Sequence, residues 1–467
     1  MSKIGDRRPI LGRTRRVHFT GIGGIGMSGI AEVLINLGFT VTGSDRALSP
    51  ITEHLRSLGA DIREGHSGDA VRDADVVVIS SAVRPDNPEV TAAHDLKIPV
   101  IRRAEMLGEL MRMKQGIAVG GTHGKTTTTS MIGLVLQEGG FDPTLIVGGR
   151  LKSLKTNARL GEGDYLVVEA DEFDRSFLSL TPTVAVVTNI ESEHLDCYKD
   201  LDEIKRTFVS FVNKVPFYGA AVLCLDEPAI QEILPRIERR IIPYGLTPQA
   251  DCRAADPAFR ETQSEFTAVW RGESLGRIRM QLPGLHNVKN ALAAVATGIE
   301  LDIPFGAIRR GLEEFTGVHR RFEIKSTAGD VIVVDDYAHH PTEIKATLRA
   351  ARTGWNRRVI AVFQPHLYSR TRDFHQEFGQ SFFDADVLIV TDVYGSREEP
   401  IPGVSGALVA DAAKAFGHRR VLTVRDPAAA AEAVLGIVRP GDLVVTLGAG
   451  DIHKAGEAVT AGLGGKK

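Results

Sequence analysis

The sequence predicts an α/β protein of three domains, built from parallel β-α-β units that form open sheets. Short β-branched segments alternate with helical stretches along the chain. Two of these segments run directly into glycine-rich loops. The length of 467 residues suits about three domains of roughly 150 residues each. We place the boundaries near Met113 and Gly317, which gives domains over residues 1–113, 114–317 and 318–467.

The first domain contains four predicted strands, and a helix is expected at about 27–37. The strands are predicted at 17–20, 39–43, 75–80 and 98–101. The residues before Val17 carry five arginines but no apolar stretch, so we interpret them as a short solvated leader and not as a signal peptide.

The two later domains repeat this alternation. In the second domain, strands are predicted at 116–120, 165–170 and 183–189. Segments 266–270 and 277–282 follow, separated by short polar turns, and are expected to form an antiparallel insertion. In the third domain, strands are predicted at 331–335, 358–363, 386–391 and 442–447.

Charge and composition favour small ligands over large anionic partners. The 56 Lys and Arg residues are balanced by 59 Asp and Glu residues, so the net charge of −3 gives no reason to expect nucleic acid or a membrane surface. No apolar run approaches the roughly 18 residues needed to span a bilayer. The three cysteines are far apart and form no CxxC motif, which fits a reducing cytoplasm and argues against a thiolate zinc site.

The stretch AVGGTHGKTTTTSM at 118–131 predicts a phosphate-binding loop, although it is one residue shorter than the usual P-loop spacing. A strand ends at Gly120 and a helix begins near Lys125, so backbone amides, the helix N-terminus and an ammonium group converge on one phosphate chain. Thr126 stands where a hydroxyl would bind Mg²⁺ beside the β- and γ-phosphates. The alternative is an ordinary glycine-rich turn before a threonine-rich helix.

The segment YLVVEADEFD at 165–174 adds carboxylates at the end of a predicted strand. The carboxyl ends of parallel strands form the crevice in which such sheets bind ligands, and Mg²⁺ prefers oxygen ligands. The carboxylates are those of Glu169, Asp171, Glu172 and Asp174, and the sequence does not reveal which of them faces inward. The alternative is a solvated acidic turn.

A second glycine signature, GIGGIG, follows the first strand. Gly21, Gly23 and Gly26 have G-x-G-x-x-G spacing, and Asp45 comes 19 residues after Gly26 at the end of the next strand. This pattern is typical of NAD-dependent oxidoreductases, but a nucleotide-sugar diphosphate would satisfy the same cradle. Two phosphate cradles in one chain favour an ATP-driven enzyme that acts on a nucleotide-linked substrate.

Six motifs then occur in one order along the chain. They are GGTHGKTTTT at 120–129, TNIESEHLDCY at 188–198, LPGLHNVKNALAA at 282–294, GVHRRFE at 317–323, DDYAHHPTE at 335–343 and FQPHLYSRTRDF at 363–374. From about Val17 to GAGDI at 448–452, the chain resembles the Mur ligases of bacterial peptidoglycan synthesis. Within that family, the GIGGIG start and the last two motifs resemble the members that join L-alanine to UDP-N-acetylmuramate.

This resemblance implies a Rossmann-like N-terminal domain for the UDP-sugar, a P-loop ATPase-like central domain, and a Rossmann-like C-terminal domain that closes over ATP and the amino acid. It implies that ATP, with Mg²⁺ or Mn²⁺, activates the carboxylate of UDP-N-acetylmuramate as an acyl phosphate, which the amine of L-alanine then attacks. It also implies a cytoplasmic monomer or homodimer, without nucleic-acid or membrane partners, that serves cell-wall synthesis, cell shape and cell division.

The resemblance assigns roles to individual residues. Lys125, His194, His339 and Arg370 would act at the reacting groups, and Thr126, Glu169 and His194 would hold divalent cations. ATP binding is assigned to Gly120, Gly121, Thr122, His123, Gly124, Lys125, Thr126, Thr127, His286, Asn287, Asn290, Arg321 and Asp336. UDP-sugar binding is assigned to Gly21, Gly23, Gly24, Ile25, Gly26, Ser44 and Asp45.

The chain departs from the family pattern at two positions. Glu193 stands where an aspartate usually precedes the histidine, and Leu367 stands where an arginine usually follows His366. Neither Lys199 nor Lys205 is assigned as the carbamylated lysine of sister ligases. The competing functions are an NAD-dependent oxidoreductase, an ATP-dependent regulatory protein on a ligase scaffold, and a recycling ligase that joins UDP-N-acetylmuramate to a preformed peptide.

Overall fold

The computed structural model describes residues 11–80, 82–148, 158–194, 197–396 and 398–464, so most of the predicted leader, residues 1–10, lies outside it. The described chain contains three β-sheets with helices between their strands, which confirms the predicted α/β class. No helix in the described ranges has the length and apolar character that a membrane span requires.

The N-terminal sheet has five parallel strands in the order β3-β2-β1-β4-β5. The strand order reverses between β1 and β4, so the GIGGIG loop that follows β1 borders the crevice at this point. The strands are β1 Arg16–Thr20, β2 Thr40–Asp45, β3 Asp61–Glu64, β4 Val76–Ile79 and β5 Val100–Arg102. The helices are α1 Ile25–Asn36, α2 Pro50–Ser57, α3 Pro88–Asp95 and α4 Arg103–Met111.

The second sheet has ten strands in the order β15-β14-β13-β12-β11-β10-β6-β9-β7-β8. Its strands are β6 Gln115–Gly120, β7 Thr144–Ile146, β8 Ala158–Arg159, β9 Tyr165–Ala170, β10 Val184–Val187, β11 Ala220–Cys224, β12 Ile241–Gly245, β13 Cys252–Arg260, β14 Gln263–Trp270 and β15 Glu273–Met280. The helices are α5 Lys125–Glu138, α6 Leu201–Val212, α7 Pro228–Ile233, α8 Leu285–Glu300 and α9 Phe305–Glu313. Strand β6 runs parallel to both of its neighbours, β9 and β10.

The third sheet has six strands in the order β16-β17-β21-β18-β19-β20, of which β16 is antiparallel to β17 and the others are parallel. Apolar clusters cover both faces of this sheet. The strands are β16 Glu323–Ser326, β17 Ile332–Asp336, β18 Arg358–Phe363, β19 Val387–Val390, β20 Val421–Thr423 and β21 Asp442–Leu447. The helices are α10 Pro341–Gly354, α11 Tyr368–Gly379, α12 Gly406–Ala415, α13 Pro427–Ile437 and α14 His453–Gly464.

Several strands with continuous apolar runs match their predictions, but β11, in which all five residues are buried, was not predicted. The bounds of β9, β18 and β21 agree with prediction at both ends. The sequence did not reveal β3, in which only Ile62 is buried, because an edge strand that faces water lacks an apolar pattern. Residues 266–270 and 277–282 lie largely within β14 and β15, and their antiparallel pairing stays a prediction.

The chain divides into two compact units. The first comprises residues 1–255, 268–276 and 289–315, and it contains both the N-terminal sheet and most of the second sheet. The second comprises residues 256–267, 277–288 and 316–467, and it contains the third sheet. The boundaries near Met113 and Gly317 stay a prediction.

Candidate active site

The first candidate site lies at the carboxyl end of β6. Gly120, the last residue of this strand, is in register with Val187 of β10 on one side and with Ala170 of β9 on the other. Because all three strands run in one direction, the segments that leave them meet at one edge of the sheet. The predicted phosphate loop, the carboxylate segment after β9 and the TNIESEH segment after β10 are therefore neighbours.

The phosphate loop between Gly120 and Lys125 is held by the segment that follows β10. The backbone amide of His123 donates a 2.7 Å hydrogen bond to Asn189 Oδ1, and the hydroxyl of Thr188 donates a 2.6 Å bond to the carbonyl oxygen of His123. The amide of Thr122 donates to the carbonyl oxygen of Asn189 at 3.2 Å. These bonds fix the loop before any ligand arrives, which lowers the entropic cost of binding.

Two glycines of this loop are required by its geometry. Gly121 has φ +137°, and a Cβ at this position would lie 2.1 Å from Thr188 Oγ1. Gly124 adopts the left-handed conformation with φ +81° immediately before helix α5, and its own Cβ would lie 2.7 Å from Asn290 Oδ1. Within the described chain no side chain caps the N-terminus of α5, so its first amides face the position that a phosphate group would take.

Lys125, the first residue of α5, is held by a buried carboxylate. Its Nζ donates hydrogen bonds to both carboxylate oxygens of Glu172, at 3.0 and 2.9 Å, and to the carbonyl oxygens of Gly121 and Thr122, at 2.6 and 3.2 Å. Burial opposes the charge of this ammonium, but the nearby carboxylates, Glu172 foremost, outweigh burial and raise the pKa of Lys125. The lysine is therefore fully protonated at neutral pH.

A cluster of metal-ligating side chains lies beside this pair. One ligand atom each from Glu172, Glu193 and His194 can be chosen so that all three atoms lie within 4.8 Å of one another. Glu172 and Glu193 are buried, and His194 is partly buried with φ +56°. Two carboxylates and an imidazole form a donor set that suits Mg²⁺ or Mn²⁺, so the residues present fit a divalent cation.

The predicted cation ligands are distributed over this edge of the sheet. Glu169, at the end of β9, accepts a 2.5 Å hydrogen bond from the amide of Gly148, and Thr126 lies in the first turn of α5. Their role in cation binding stays a prediction. The sequence named Glu172 among four possible carboxylates without showing which of them faces inward, and it assigned no role to Glu193, which stands where the family usually has aspartate.

The second candidate site is the GIGGIG loop after β1. Gly21 has φ +80° and, like Ile22, donates its amide hydrogen to the carbonyl oxygen of Ser44, at 2.8 and 3.0 Å. Asp45 Oδ2 accepts a 2.7 Å hydrogen bond from the amide of Gly23. Helix α1 begins directly after this loop, and no side chain of the described residues caps it. The loop thus presents a helix N-terminus, as a diphosphate cradle requires.

Ser44, predicted to contact the UDP-sugar, has its hydroxyl in a buried polar network. This hydroxyl donates a 2.8 Å hydrogen bond to Glu89 Oε2, which also accepts one from Thr20 Oγ1 at 2.7 Å and lies 3.2 Å from His18 Nε2. The hydrogen bonds of Glu89 outweigh the effect of burial and lower the pKa of this carboxylate. The network fixes Ser44, whose carbonyl oxygen accepts the hydrogen bonds of Gly21 and Ile22 in the GIGGIG loop.

Arg103 is a functional candidate that the sequence reasoning missed. Its Nη1 lies 3.0 Å from the position that a Cβ on Gly26 would take, so its guanidinium group packs against the first turn of α1. Its Nη2 also lies 3.6 Å from Asp171 Oδ2. A guanidinium group at a helix N-terminus is well suited to a diphosphate. Its position directly after β5 would have been the signal to find it.

In the second unit, two predicted ATP ligands lie close together. Asp336, at the end of β17, accepts 2.7 Å hydrogen bonds from the amides of Phe322 and Ala338. Burial raises the pKa of Asp336 to about 6, although the positive charge of Arg321 and these two amides oppose the rise. The guanidinium group of Arg321 lies 5.3 Å from the ring centre of Tyr337 and 3.4 Å from Glu343 Oε1.

The same unit brings His339 and Arg370 together through His366. The ring centres of His339 and His366 lie 5.9 Å apart, and Arg370 Nη1 lies 3.3 Å from His366 Nδ1. His366 in turn stacks on Tyr394 at 5.9 Å. Leu367, which stands where the family pattern has arginine, directly precedes helix α11. Its φ of +68° lies in the left-handed region. His366 lies in one of the six motifs but was not predicted as a site residue.

Three residues were predicted to lie beside the adenine of ATP, and all three are in the first part of α8: His286, Asn287 and Asn290. Asn287 is buried, and its side-chain amide donates a 2.8 Å hydrogen bond to the carbonyl oxygen of Pro283. Asn290 packs against Gly124 of the phosphate loop. His286 precedes them, and a Cβ on Gly284 would lie 2.7 Å from its Cε1. Contact of these residues with adenine stays a prediction.

Comparison with known proteins gives matches along nearly the whole chain. Three family models match: "Mur ligase family, catalytic domain" at residues 16–115, "Mur ligase middle domain" at 119–298 and "Mur ligase, glutamate ligase domain" at 320–450. The UDP-N-acetylmuramate–L-alanine ligase of Geotalea uraniireducens is 56% identical over 454 residues, which is 97% of this chain and 99% of the relative.

Two crystal structures show the same fold. The UDP-N-acetylmuramate-alanine ligase of Thermotoga maritima aligns with a TM-score of 0.80 and 29% identity, over 97% of this chain and 100% of the other. The murein peptide ligase of Psychrobacter arcticus aligns with a TM-score of 0.70 and 25% identity, over 97% and 99%. The first of these relatives bears the same activity in its name as the Geotalea protein.

A fixed phosphate loop, a carboxylate–imidazole cluster beside it and a second glycine-rich cradle define an α/β enzyme that uses a nucleoside triphosphate. The family models that match this chain, together with its similar relatives, then identify the protein family. The chain belongs to the Mur ligase family.

Proposed function

We propose that this protein joins L-alanine to the carboxylate of UDP-N-acetylmuramate in an ATP-dependent reaction of peptidoglycan precursor synthesis. The observation that carries the proposal is the loop at the end of β6, where Lys125 and the N-terminus of helix α5 lie beside Glu172, Glu193 and His194. This arrangement suits transfer of a phosphoryl group to an anionic acceptor. The names of the relatives supply the acceptor and the amino acid.

The phosphate loop would bind the triphosphate of ATP. The residues from Gly120 to Gly124 offer backbone amides, and Lys125 offers the positive charge for the β- and γ-phosphates. Thr127, which is buried in the first turn of α5, is included among the residues proposed to bind ATP. Arg321 and Asp336 would contact the phosphates and the ribose, and His286, Asn287 and Asn290 the adenine.

Thr126, Glu169 and His194 would hold the divalent cations. When bound, a divalent cation supplies the positive charge that lets an anionic carboxylate approach an anionic phosphate. The buried carboxylates of Glu172 and Glu193 lie beside His194, and these side chains would add ligands that suit a divalent cation.

The reaction needs an activated carboxylate, because a carboxylate ion is a poor electrophile. Phosphorylation by ATP gives an acyl phosphate and ADP, and attack by the amine of alanine then releases phosphate and forms the amide. Arg370 would orient the reacting carboxylate. His339 Nδ1 lies 3.0 Å from the carbonyl oxygen of Tyr337, so the neutral ring has its lone pair on Nε2 and can accept the proton of the alanine ammonium group.

The GIGGIG loop would hold the diphosphate of the UDP-sugar. Gly21, Gly23, Gly24, Ile25 and Gly26 form the loop and the first turn of α1, while Asp45 and Ser44 fix its backbone. We place the domain boundaries near residues 113 and 317, the enzyme in the cytoplasm, and its assembly as a monomer or a homodimer.

The proposal is tested by phosphate release in four parallel mixtures that contain enzyme, Mg²⁺ and ATP. The mixtures contain no further addition, UDP-N-acetylmuramate, L-alanine, or both. Release that requires both and equals the amount of amide product supports the proposal. Equal slow release in all four would favour a regulatory ATPase, and no release would return NAD binding at the GIGGIG loop to consideration. A fifth mixture with a peptide in place of L-alanine tests the recycling ligase.

A further inference from the structure

The ammonium group of Lys125 already has four acceptors in this structure. Both oxygens of Glu172 and the carbonyl oxygens of Gly121 and Thr122 lie within 3.2 Å of Nζ. The side chain of Glu172 is 3% exposed and that of Lys125 is 17% exposed, so water screens this ion pair little. Nζ has three hydrogens, so acceptors of the protein itself outnumber the hydrogens that it can donate.

A lysine in this state is not available to a phosphate. In phosphate loops the lysine ammonium reaches the β- and γ-phosphates, and here it turns back to its own loop and to Glu172. Binding of a triphosphate must therefore break the contact between Lys125 and Glu172. That step leaves a buried carboxylate without its cation, which is unfavourable unless another cation takes the place of Lys125.

Glu172 has a second set of neighbours that can supply such a cation site. His194 Nε2 lies 3.9 Å from Glu172 Oε1, and Glu193 completes the cluster within 4.8 Å. The backbone of Glu172 is fixed, because Tyr198 donates a 2.6 Å hydrogen bond to its carbonyl oxygen. Only the carboxylate needs to turn from one set of partners to the other.

We propose that Glu172 exchanges partners during the binding of ATP: it holds Lys125 when the phosphate loop is empty, and it joins His194 and Glu193 around a divalent cation when Lys125 moves to the phosphates. This inference rests on the proposed function of the loop and adds a positioning residue to it. The exchange makes the cation and the nucleotide promote each other's binding. The nucleotide draws Lys125 away from Glu172 and so frees the cation site, and a cation on Glu172 in turn frees Lys125 for the phosphates. Such coupling is reciprocal by thermodynamic necessity.

The exchange is tested first by binding of Mn²⁺ alone, followed by electron paramagnetic resonance, with no nucleotide or substrate present. In the wild-type protein Lys125 binds both carboxylate oxygens of Glu172, so we expect Mn²⁺ to bind weakly. Lys125→Met releases Glu172, and we expect Mn²⁺ to bind at least tenfold more tightly to this variant. The gain should disappear in Lys125→Met/Glu172→Gln and persist in Lys125→Met/Asp171→Asn, which removes the adjacent carboxylate instead.

Two results of this experiment would overturn the exchange. Equal Mn²⁺ affinity in wild type and Lys125→Met would show that Lys125 does not block the site. A gain that survives in Lys125→Met/Glu172→Gln would show that loss of the lysine charge acts on Glu193 and His194 without Glu172. Neither result depends on turnover or on the identity of the substrates, so failure of the exchange is distinct from failure of the proposed ligation.

A second measurement covers the case in which Lys125→Met does not fold. Glu172→Gln frees Lys125, so its affinity for ATP in the presence of a chelator should rise about fivefold above wild type, while the strengthening of ATP binding by Mg²⁺ should shrink by about tenfold. Glu172→Asp keeps the charge and should retain most of the Mg²⁺ effect. A Glu172→Gln variant with unchanged ATP affinity in both conditions, or with an equal loss in both, refutes the exchange.

Discussion

Asp45 Oδ2 accepts a 2.7 Å hydrogen bond from the backbone amide of Gly23, so the end of β2 fixes the glycine loop that follows β1. A Cβ on Gly23 would lie 2.8 Å from the same oxygen, which leaves glycine as the residue that fits. The carboxylate therefore supports the loop that is proposed to bind the diphosphate. It acts through the backbone of the loop.

Asp45→Ala should loosen this loop and weaken binding of the UDP-sugar. Loss of a hydrogen bond to a charged group costs about 1.5–3 kcal/mol, so we expect KM for UDP-N-acetylmuramate to rise roughly tenfold or more while kcat changes little. Steady-state kinetics with varied UDP-sugar checks this. Asp69→Ala, which removes an exposed carboxylate paired with Arg72, is the control and should leave KM unchanged.

Lys125→Ala should remove most of the phosphate release and leave binding of the UDP-sugar intact. The ammonium group is proposed to stabilise the charge of the transferred phosphoryl group, so we expect a loss of roughly 10³-fold in kcat. Calorimetric titration with UDP-N-acetylmuramate should give the wild-type affinity. The exposed Lys199→Ala serves as control, and a wild-type rate in Lys125→Ala would exclude the assigned role of the loop.

Gly121→Ala should destabilise the phosphate loop. The new Cβ would lie 2.1 Å from Thr188 Oγ1 at φ +137°, so we expect a loss of about 2–4 kcal/mol in the free energy of unfolding, together with loss of ATP binding. Gly140→Ala also has positive φ but meets no atom of the described residues within 4 Å, and it should cost only about 1 kcal/mol. Adding Thr188→Ala should restore part of the stability of Gly121→Ala, as urea unfolding will show.

Loss of the proton from Asp336 should lower the free energy of unfolding of the second unit as the pH rises from about 4 to about 6. Its pKa of about 6 in the folded protein exceeds the usual value of 3.8, so the folded state binds the proton more tightly than the unfolded state does. The contribution is fully present below pH 4 and is lost as pH rises through 6, a change of up to about 3 kcal/mol. Urea unfolding of wild type and Asp336→Asn across this range measures it, and parallel pH profiles would contradict it.

Arg370→Ala should reduce turnover without changing the affinity for ATP. If Arg370 orients the reacting carboxylate, its loss should lower kcat/KM for UDP-N-acetylmuramate by roughly 100-fold. Arg372→Ala, on the same helix but paired with the adjacent Asp373, is the matched control and should stay within twofold of wild type. Equal effects of the two substitutions would argue for a structural role of the helix.

Sequence patterns reveal a residue's neighbourhood in the chain better than the direction of its side chain. The runs that form β6, β9, β18 and β21 are buried along most of their length, so their apolar pattern is sufficient to predict them, and the loops after them follow directly. The direction of a carboxylate is set by tertiary packing. For this reason the sequence grouped Glu169 and Glu172 as equals, although it is Glu172 whose carboxylate binds Lys125.

The same limit explains why the sequence did not reveal the side-chain contacts of Ser44 and Arg103. Ser44 was assigned to UDP-sugar binding by the family resemblance, and its hydroxyl donates a hydrogen bond to Glu89, which is 45 residues away in the chain. Arg103 lies outside the motifs and reaches Gly26 only because β5 and β1 belong to one sheet. Such long-range placement is a property of the fold, and no local spacing encodes it.

The occupied ammonium group of Lys125 also bears on inhibitor design. A screen against the nucleotide-free protein presents a phosphate loop whose positive charge is already neutralised by Glu172. Compounds that carry a phosphate-like anion must displace that carboxylate from Lys125 before they can bind the ammonium group. We therefore expect anionic compounds to bind the nucleotide-free wild-type protein more weakly than they bind Glu172→Gln, in which Lys125 has lost its ion pair.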